Sequence, residues 1–372
     1  GIVFDETDND PNARPPKTYP GKLTQLLYKR YQKFNGAADK GLILLPCELI
    51  ADNGIELKKC IMKFIELWGL EDGFKDWVNN YCSFCPTLVD RIVPGYPRED
   101  AAKLCEEWGY EDQLIDRAEV FGLWVVESDS NLPLEQLEKE LPFKEAGLNV
   151  VFTKDHHPYK ERKVRILNGS HTSFVLASFL AGNDNVENSM KDPVIRKYME
   201  ETLYNEVIPT LSLSKEDCEE FAKAVIDRFL NPFVDHRLLS ISLNSVSKWE
   251  ARCLPSFLGY VKKFNKLPKY LTFSIAALMS FYTSQTEAEF NGGIVLKGDR
   301  NGEEYNITDD KAVLDFFRDN SGKTPAEFAH AYLSNTKVLD LEEVITGYIT
   351  DIRERGMRAV VNDLALDDEK LA

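Results

Sequence analysis

The sequence contains no two glycines separated by a single residue, although 21 of its 372 residues are glycine. A dinucleotide-binding G-x-G-x-x-G turn is therefore absent from it, and so is a G-x4-G-K-[ST] P-loop. It also lacks the H-E-x-x-H pair of zinc peptidases and the G-x-S-x-G elbow of serine hydrolases. These absences leave hydrolase and metalloenzyme functions with little support.

Metal-ligand patterns are also scarce. None of the five histidines lies at the helical spacing of a metal-binding pair. The seven cysteines are sparse and odd in number, which is typical of reduced thiols in a cytoplasmic protein. Cys82 and Cys85 form a C-x-x-C, but no second pair follows at zinc-ribbon spacing. The sequence therefore predicts no metal site.

Long apolar runs and excess positive charge are missing too. No run approaches the roughly 20 apolar residues that cross a bilayer, and the first residues, GIVFDE, do not form a signal peptide. The net charge is -16, which argues against nucleic-acid or membrane partners. We therefore expect a cytoplasmic protein that acts on a small molecule. An anionic substrate would need local cations, and the oligomeric state stays open.

The first part of the chain alternates strand and helix patterns. A length of 372 residues predicts two domains, because single cores rarely grow beyond about 250–300 residues. Short apolar runs predict strands at 41–45, 89–93, 121–127 and 148–152, and apolar periodicity predicts helices near 23–34 and 57–68. Residues 1–20 are polar and proline-rich and predict a loop. This order indicates an α/β domain over residues 1–152.

Helix signals dominate residues 153–372. Asp192-Pro193 and Ser214 predict helix starts, and Asp340 predicts the start of a long final helix. Residues 271–282 are apolar on nearly every side, which predicts a buried central helix. The one strand signal is a hairpin around residues 291–293. The predicted fold is therefore a partial Rossmann-like α/β domain followed by a mostly helical domain, with the site in the cleft between them.

Residues 158–174, PYKERKVRILNGSHTSF, carry the most informative polar pattern. On an α-helix, Lys163, Asn168 and His171 fall within one arc of about 140°. A lysine with a lowered pKa can take a hydroxyl proton, an amide can hold the developing alkoxide, and an imidazole can orient a neighbouring hydroxyl. On the residues alone, a solvated helix face without chemistry is the stronger interpretation.

The motif K-x4-N-x2-H at these three residues resembles the catalytic helix of the long-chain mannitol dehydrogenase family. The similarity extends over nearly the whole chain in ordered blocks, among them YPGKLTQLLYKRY, LLPCELIADNG, SFCPTLVDRIVPGYPR, HHPYKERK, RFLNPFVDHRLLSISLNSVSKW and LTFSIAALMSFY. Members of this family are NAD-dependent, metal-independent dehydrogenases of polyols and sugar acids. The resemblance implies that Lys163 is the general acid/base and that Asn168 and His171 polarise and orient the reacting hydroxyl.

The resemblance also bears on the substrate. It implies a substrate contact for Lys248, which is otherwise an ordinary exposed lysine. Mannitol-type members have an asparagine in a C-D-N-like motif where this chain has Cys47-Glu48-Leu49, and an arginine where it has Ser240. Both departures fit the members that reduce D-tagaturonate to D-altronate. Reduction of fructuronate and oxidation of a mannitol-type polyol remain alternatives.

Two further residues are candidates for substrate binding. Arg91 in VDRIV could face a substrate carboxylate, and a buried structural ion pair with Asp90 is an equally good interpretation. Glu48 is the other candidate, because it stands in the altered C-D-N-like motif.

The start of the chain departs from the family pattern. Family members open with a strand, a glycine-rich turn and a helix that bind the NAD pyrophosphate, whereas this chain opens at what would be the middle of that domain. We therefore expect this glycine-rich portion to be missing, and the cofactor-binding residues stay unknown. A truncated, non-catalytic fragment is the remaining alternative.

Overall fold

The computed structural model describes residues 1–93, 95–233, 236–334, 338 and 340–366. The chain divides into two compact units, Gly1–Lys160 and Glu161–Ala372. Residues 153–160, which the sequence assigned to the second domain, thus belong to the first unit. The predicted domain boundary after residue 152 stays a prediction.

The first unit combines helices with two small sheets. Its helices are α1 (Tyr19–Lys33), α2 (Asn53–Leu67), α3 (Asp72–Tyr81), α4 (Ala101–Trp108) and α5 (Leu134–Glu140). Its strands are β1 (Ile43–Leu44), β2 (Ser83–Phe84), β3 (Thr87–Asp90), β4 (Leu123–Glu127) and β5 (Val150–Thr153). β1 pairs parallel with β2, and β4 lies between antiparallel β3 and parallel β5. The strand and helix pattern of an α/β domain is confirmed.

The predicted strands form with shifted bounds for identifiable reasons. β1 is short, and the chain just before it lies against another backbone: a Cβ on Gly41 would fall 1.6 Å from the carbonyl oxygen of Tyr81. β3 ends at Asp90 instead of continuing to residue 93, because the backbone N–H of Ile92 donates to Oε1 of Glu119 (2.6 Å) and not to a neighbouring strand. Side-chain acceptors of this kind leave no periodic signal in a sequence.

The N-terminal loop is confirmed, and a buried carboxylate organises it. Asp8 accepts hydrogen bonds from the backbone N–H groups of Lys17 and Thr18 and from the Thr18 hydroxyl. Thr18 in turn accepts from the N–H of Gly21 (3.1 Å) and caps α1. The cap explains why this helix begins at Tyr19, four residues before the predicted start.

The second unit is mostly helical. A helix that begins at the end of the first unit, α6 (His157–Arg162), continues as a π-helix over Lys163–Asn168 and then as α7 (Gly169–Leu180). The remaining α-helices are α8 (Val186–Lys191), α9 (Pro193–Glu201), α10 (Lys215–Phe229), α11 (Leu238–Ile241), α12 (Ser245–Arg252), α13 (Leu254–Phe264), α14 (Lys269–Phe281), α15 (Lys311–Asn320), α16 (Pro325–Leu333), α17 (Leu341–Arg355) and α18 (Met357–Leu366). A second π-helix (Thr202–Val207) and a 3₁₀ helix (Ile208–Thr210) follow α9.

The sequence predicted several of these helices and one hairpin. Ser214 accepts from the N–H of Asp217 and caps α10, and α14 is buried along almost its whole length. β6 (Glu287–Phe290) and β7 (Gly293–Arg300) form the predicted hairpin, and β8 (Glu303–Ile307) adds an unpredicted third antiparallel strand. The long helix predicted to start at Asp340 is confirmed as α17, but it is not the final one, because Gly356, with a φ of +81°, separates it from α18.

Within the described ranges, no helix combines the length and apolarity that a bilayer crossing needs. Cys82 and Cys85 are fully buried free thiols, and burial raises the pKa of Cys85 to about 12. A thiol held neutral in this way packs as a small apolar side chain and is a poor redox nucleophile.

Asp192→Ala should destabilise the second unit by about 2–3 kcal/mol. The carboxylate accepts from the N–H groups of Val194 and Ile195 at the start of α9 and from Arg358 on α18 (2.5 Å), so the substitution removes a cap and an ion pair together. Asp310→Ala is the matched control, because Asp310 stands at the N-cap of α15 without a side-chain hydrogen bond. Urea unfolding measures the free energy of unfolding of both variants. An equal decrease of that free energy in both would refute this role for Asp192.

Candidate active site

A π-helix carries two of the predicted catalytic residues. Lys163–Asn168 is closed by i→i+5 hydrogen bonding, where the sequence analysis expected an α-helix. Lys163 and Asn168 are five residues apart, and the wider turn of a π-helix brings such a pair closer in direction than an α-helix does. The π-helix therefore brings the lysine and the amide onto one face, whereas an α-helix would separate them by about 140°. Both residues are half-buried.

His171 lies in the first turn of α7 and is buried, with 7% of its surface exposed. Its ring stacks on Phe229 of α10 at 4.2 Å between centroids, and the ring of His236 stands edge-on at 5.2 Å. Among the residues described, none offers a hydrogen-bond partner to its Nε2. Burial, aided by the nearby positive charges of Arg252 and Lys248 among others, lowers its pKa well below the usual value. The imidazole is therefore neutral at pH 7 and holds one ring nitrogen ready for a ligand.

Two half-buried cations on α12 stand near this histidine. Lys248 donates from Nζ to the carbonyl oxygen of Ile241 (2.9 Å), and Arg252 donates to the hydroxyl of Thr172 (3.3 Å). Burial lowers the pKa of both groups. In the part of the chain that the structure describes, neither cation forms an ion pair with a carboxylate. Half-buried cations without a counter-ion favour binding of an anion.

Arg91 and Glu48 belong to the first unit, so their roles in substrate binding stay predictions. Arg91 is exposed and donates from Nε to the carbonyl oxygen of Glu119 (2.9 Å). The alternative of a buried ion pair with Asp90 is wrong, because only the aspartate is buried. Glu48 is half-buried, and its backbone oxygen accepts from Nδ2 of Asn53 (3.1 Å).

The first unit contains a histidine–carboxylate cluster that the sequence analysis missed. Ligand atoms of Glu127, Asp155, His156 and His157 all lie within 4.8 Å of one another, and Asp52 stands next to both imidazoles. The hydrogen bond to Asp155, together with the charge of Asp52, raises the pKa of His157. The ligand atoms come from the turn before α2, the end of β4 and the start of α6. The adjacent His156-His157 pair was the one local signal, since the carboxylates are distant in sequence.

Comparison with known proteins shows two family matches. The mannitol dehydrogenase Rossmann domain matches residues 14–139, and the mannitol dehydrogenase C-terminal domain matches residues 155–343. The second match contains Lys163, Asn168, His171 and Lys248. The two matches together span most of the chain.

Individual relatives and solved structures agree with these matches. The altronate oxidoreductase of Enterobacter sp. (strain 638) is 40% identical over 98% of this chain and 74% of its own length. The altronate oxidoreductase of Pectobacterium atrosepticum is 42% identical over 97% of this chain and 74% of its own length. A substrate-free D-sorbitol dehydrogenase superposes with a TM-score of 0.74 at 21% identity, covering 93% of this chain and 67% of its own. A Pseudomonas fluorescens mannitol 2-dehydrogenase in complex with NAD and D-mannitol superposes with a TM-score of 0.62 at 22% identity. The match covers 98% of this chain and 72% of that protein's chain. At such low identity the structures show the fold alone.

Burial of neutral His171 should make the protein less stable in acid. An unfolded histidine takes up a proton near pH 6.5, whereas folded His171 does not, so the unfolded state gains protons as the pH falls. The free energy of unfolding should therefore fall below pH 6.5, by at most about 1.4 kcal/mol per pH unit from this residue. His171→Asn should flatten the slope between pH 6.5 and 5, measured by urea unfolding.

The matched control for this experiment is His330→Asn, which removes an exposed histidine of the second unit. It should keep the wild-type slope. A slope that His171→Asn leaves unchanged would mean that the imidazole is protonated in the folded protein.

Proposed function

Because the chain belongs to the mannitol dehydrogenase family, we propose that it catalyses the NAD-dependent, reversible reduction of a keto sugar acid, D-tagaturonate to D-altronate. The observation that carries the sugar-acid proposal is the pair of half-buried cations, Lys248 and Arg252, beside neutral His171. A polyol has no anionic end for them to bind, whereas a uronate has one. The names of the 40–42% identical relatives support the same substrate.

NAD is the cofactor of this chemistry, and when bound it accepts the hydride during oxidation of the alcohol. The chain has no G-x-G-x-x-G turn to cradle a pyrophosphate, so we assign none of its residues to that role. All other steps below concern the chain's own side chains.

Lys163 is the proposed acid/base. In the oxidising direction its neutral amine takes the proton of the reacting hydroxyl, while the amide N–H of Asn168 donates to the same oxygen as negative charge develops. The shared face of the π-helix supports this pairing, because base and donor must reach one oxygen atom. In the reducing direction the lysine returns the proton. Neutral His171 binds a neighbouring hydroxyl through Nε2 and orients the substrate.

The rest of the substrate would be bound through its charge. A carboxylate placed between Lys248 and Arg252 replaces part of the hydration that both cations lose in their half-buried positions. Asp309 raises the pKa of Lys248 through its charge and accepts a hydrogen bond from Tyr282. It is therefore the protein carboxylate that competes with the substrate carboxylate for Lys248.

Two rival substrates fit the same chemistry. Fructuronate carries the same carboxylate and differs from tagaturonate in stereochemistry, so the cations do not discriminate between the two. A mannitol-type polyol is favoured by the fold that the chain shares with D-sorbitol dehydrogenase and mannitol 2-dehydrogenase. Initial rates with tagaturonate, fructuronate and fructose rank the three, and we expect tagaturonate first and fructose last. Equal efficiency with fructose and tagaturonate would contradict the sugar-acid proposal.

Lys163→Ala should lower turnover by about 10²- to 10⁴-fold, the usual contribution of a general acid/base. Because the side chain acts on the reacting proton, the fold and the affinity for NAD should change little. Lys215→Ala is the matched control, since Lys215 is an exposed lysine at the start of α10. Steady-state kinetics and circular dichroism of both variants test the role. Near wild-type turnover in the Lys163 variant would refute it.

Lys248→Ala should lower kcat/KM for tagaturonate by about 10- to 150-fold, since a charge-assisted hydrogen bond contributes about 1.5–3 kcal/mol. The loss should be much smaller for fructose, which has no carboxylate. Lys262→Ala, at an exposed position on α13, controls for removal of a positive charge. Equal losses for the acid and the neutral ketose would show that Lys248 does not bind the carboxylate.

A further inference from the structure

We propose that the first unit carries a site for one divalent transition-metal ion of the zinc class, bound by Nε2 of His156, Nε2 of His157 and Oδ1 of Asp52. The existence of this site does not depend on the substrate proposed above. All its atoms lie within Gly1–Lys160.

The distances from Asp52 to the two imidazoles are close to those of a tetrahedral site. Oδ1 of Asp52 lies 3.2 Å from Nε2 of His157 and 3.8 Å from Nε2 of His156. Ligand atoms bound about 2.0–2.1 Å from one zinc ion at tetrahedral angles are about 3.3 Å apart. Both distances from Asp52 therefore suit ligands of one ion, the longer one after a small side-chain adjustment. The fourth position is left for water.

Each imidazole is oriented by a carboxylate on its other nitrogen. Nδ1 of His156 is 2.7 Å from Oε2 of Glu127, and Nδ1 of His157 is 2.7 Å from Oδ1 of Asp155. A carboxylate at Nδ1 holds the proton on that nitrogen and leaves the lone pair on Nε2. Metal-binding histidines in proteins commonly have such a partner. Here both histidines have one, and both Nε2 atoms stand near the same aspartate oxygen.

Asp52 supplies the independent observation. Its Oδ1 is buried and has no hydrogen-bond partner within the described residues, although both Nε2 atoms stand within 4 Å of it. Burying a carboxylate oxygen without a hydrogen-bond partner lowers the stability of the fold. A lone pair on either Nε2 would also repel the lone pairs of this Oδ1. The carboxylates of Asp52, Glu127 and Asp155 also concentrate negative charge beside the two imidazoles. A divalent ion removes both problems.

The surrounding structure supports the site and leaves access to it. Nδ2 of Asn53, next to Asp52, donates to the carbonyl oxygens of Pro46 and Thr87, which fixes the turn before α2. The His156 side chain is 3% exposed, whereas that of His157 is 61% exposed. Solvent therefore reaches the cluster from the His157 side. A bound ion would join this turn to the start of α6.

Cobalt(II) is a direct probe, because tetrahedral cobalt absorbs visible light and competes with zinc for such sites. The chain should bind one equivalent of cobalt with a tetrahedral spectrum, zinc should displace it, and zinc should raise the melting temperature. Loss of a ligand in His157→Gln or Asp52→Asn should weaken binding more than 100-fold. Asp155→Asn removes an orienting partner and should weaken it about 10- to 100-fold.

His330→Gln is the matched control for loss of an exposed histidine and should bind like the wild type. Binding that His157→Gln and Asp52→Asn leave unchanged would overturn the proposal, as would the absence of a saturable one-equivalent spectrum. In the latter case protons on the imidazoles hold the cluster. A sulfur-to-cobalt charge-transfer band would place the ion on a cysteine such as exposed Cys47, and would equally overturn it.

Discussion

The widened helical turn over Lys163–Asn168 is the constraint on which the candidate active site depends. A regular α-helix through this segment would separate the lysine from the amide, whereas i→i+5 hydrogen bonding aligns them. The turn then passes directly into α7, which places His171 against Phe229 in a dry environment. The proposed base and oxyanion donor therefore lie on one irregular turn, and the neutral imidazole lies in the helical turn that follows it. Irregular helical turns are frequent at functional sites because they position side chains that a regular helix cannot.

Local charge in the second unit runs against the charge of the whole protein. The chain carries a net charge of -16, so its average field repels an anionic substrate. Lys248 and Arg252 supply positive charge at one place, and burial lowers the pKa of each because their charged forms lose hydration. The same charges help to keep His171 neutral. These two cations thus contribute, after burial, to the neutral state of the imidazole, and they support the proposed preference for a sugar acid.

The sequence predicted those features of the fold and the site whose signals lie among neighbouring residues. Apolar periodicity and caps such as Ser214 predicted helices of the second unit, because each signal lies within a few neighbouring residues. The sequence predicted one final helix where the structure has α17 and α18, because the positive φ of Gly356 between them cannot be predicted from its neighbours. The motif singled out Lys163, Asn168 and His171, whose catalytic roles stay predictions, but it did not predict the π-helix on which two of them lie. The cluster around His156 was missed, because Asp52 and Glu127 approach it through the fold alone.

The central claim is that one lysine exchanges the reacting proton in both directions. The most direct measurement is the pH dependence of kcat/KM for altronate oxidation and for tagaturonate reduction in the same enzyme. A neutral lysine is needed to oxidise the alcohol and a protonated one to reduce the ketone, so the first rate should rise and the second should fall through a common apparent pKa. Lys163→Ala should abolish that shared transition. Profiles with unrelated transitions, or a shared transition that persists without Lys163, would contradict the account.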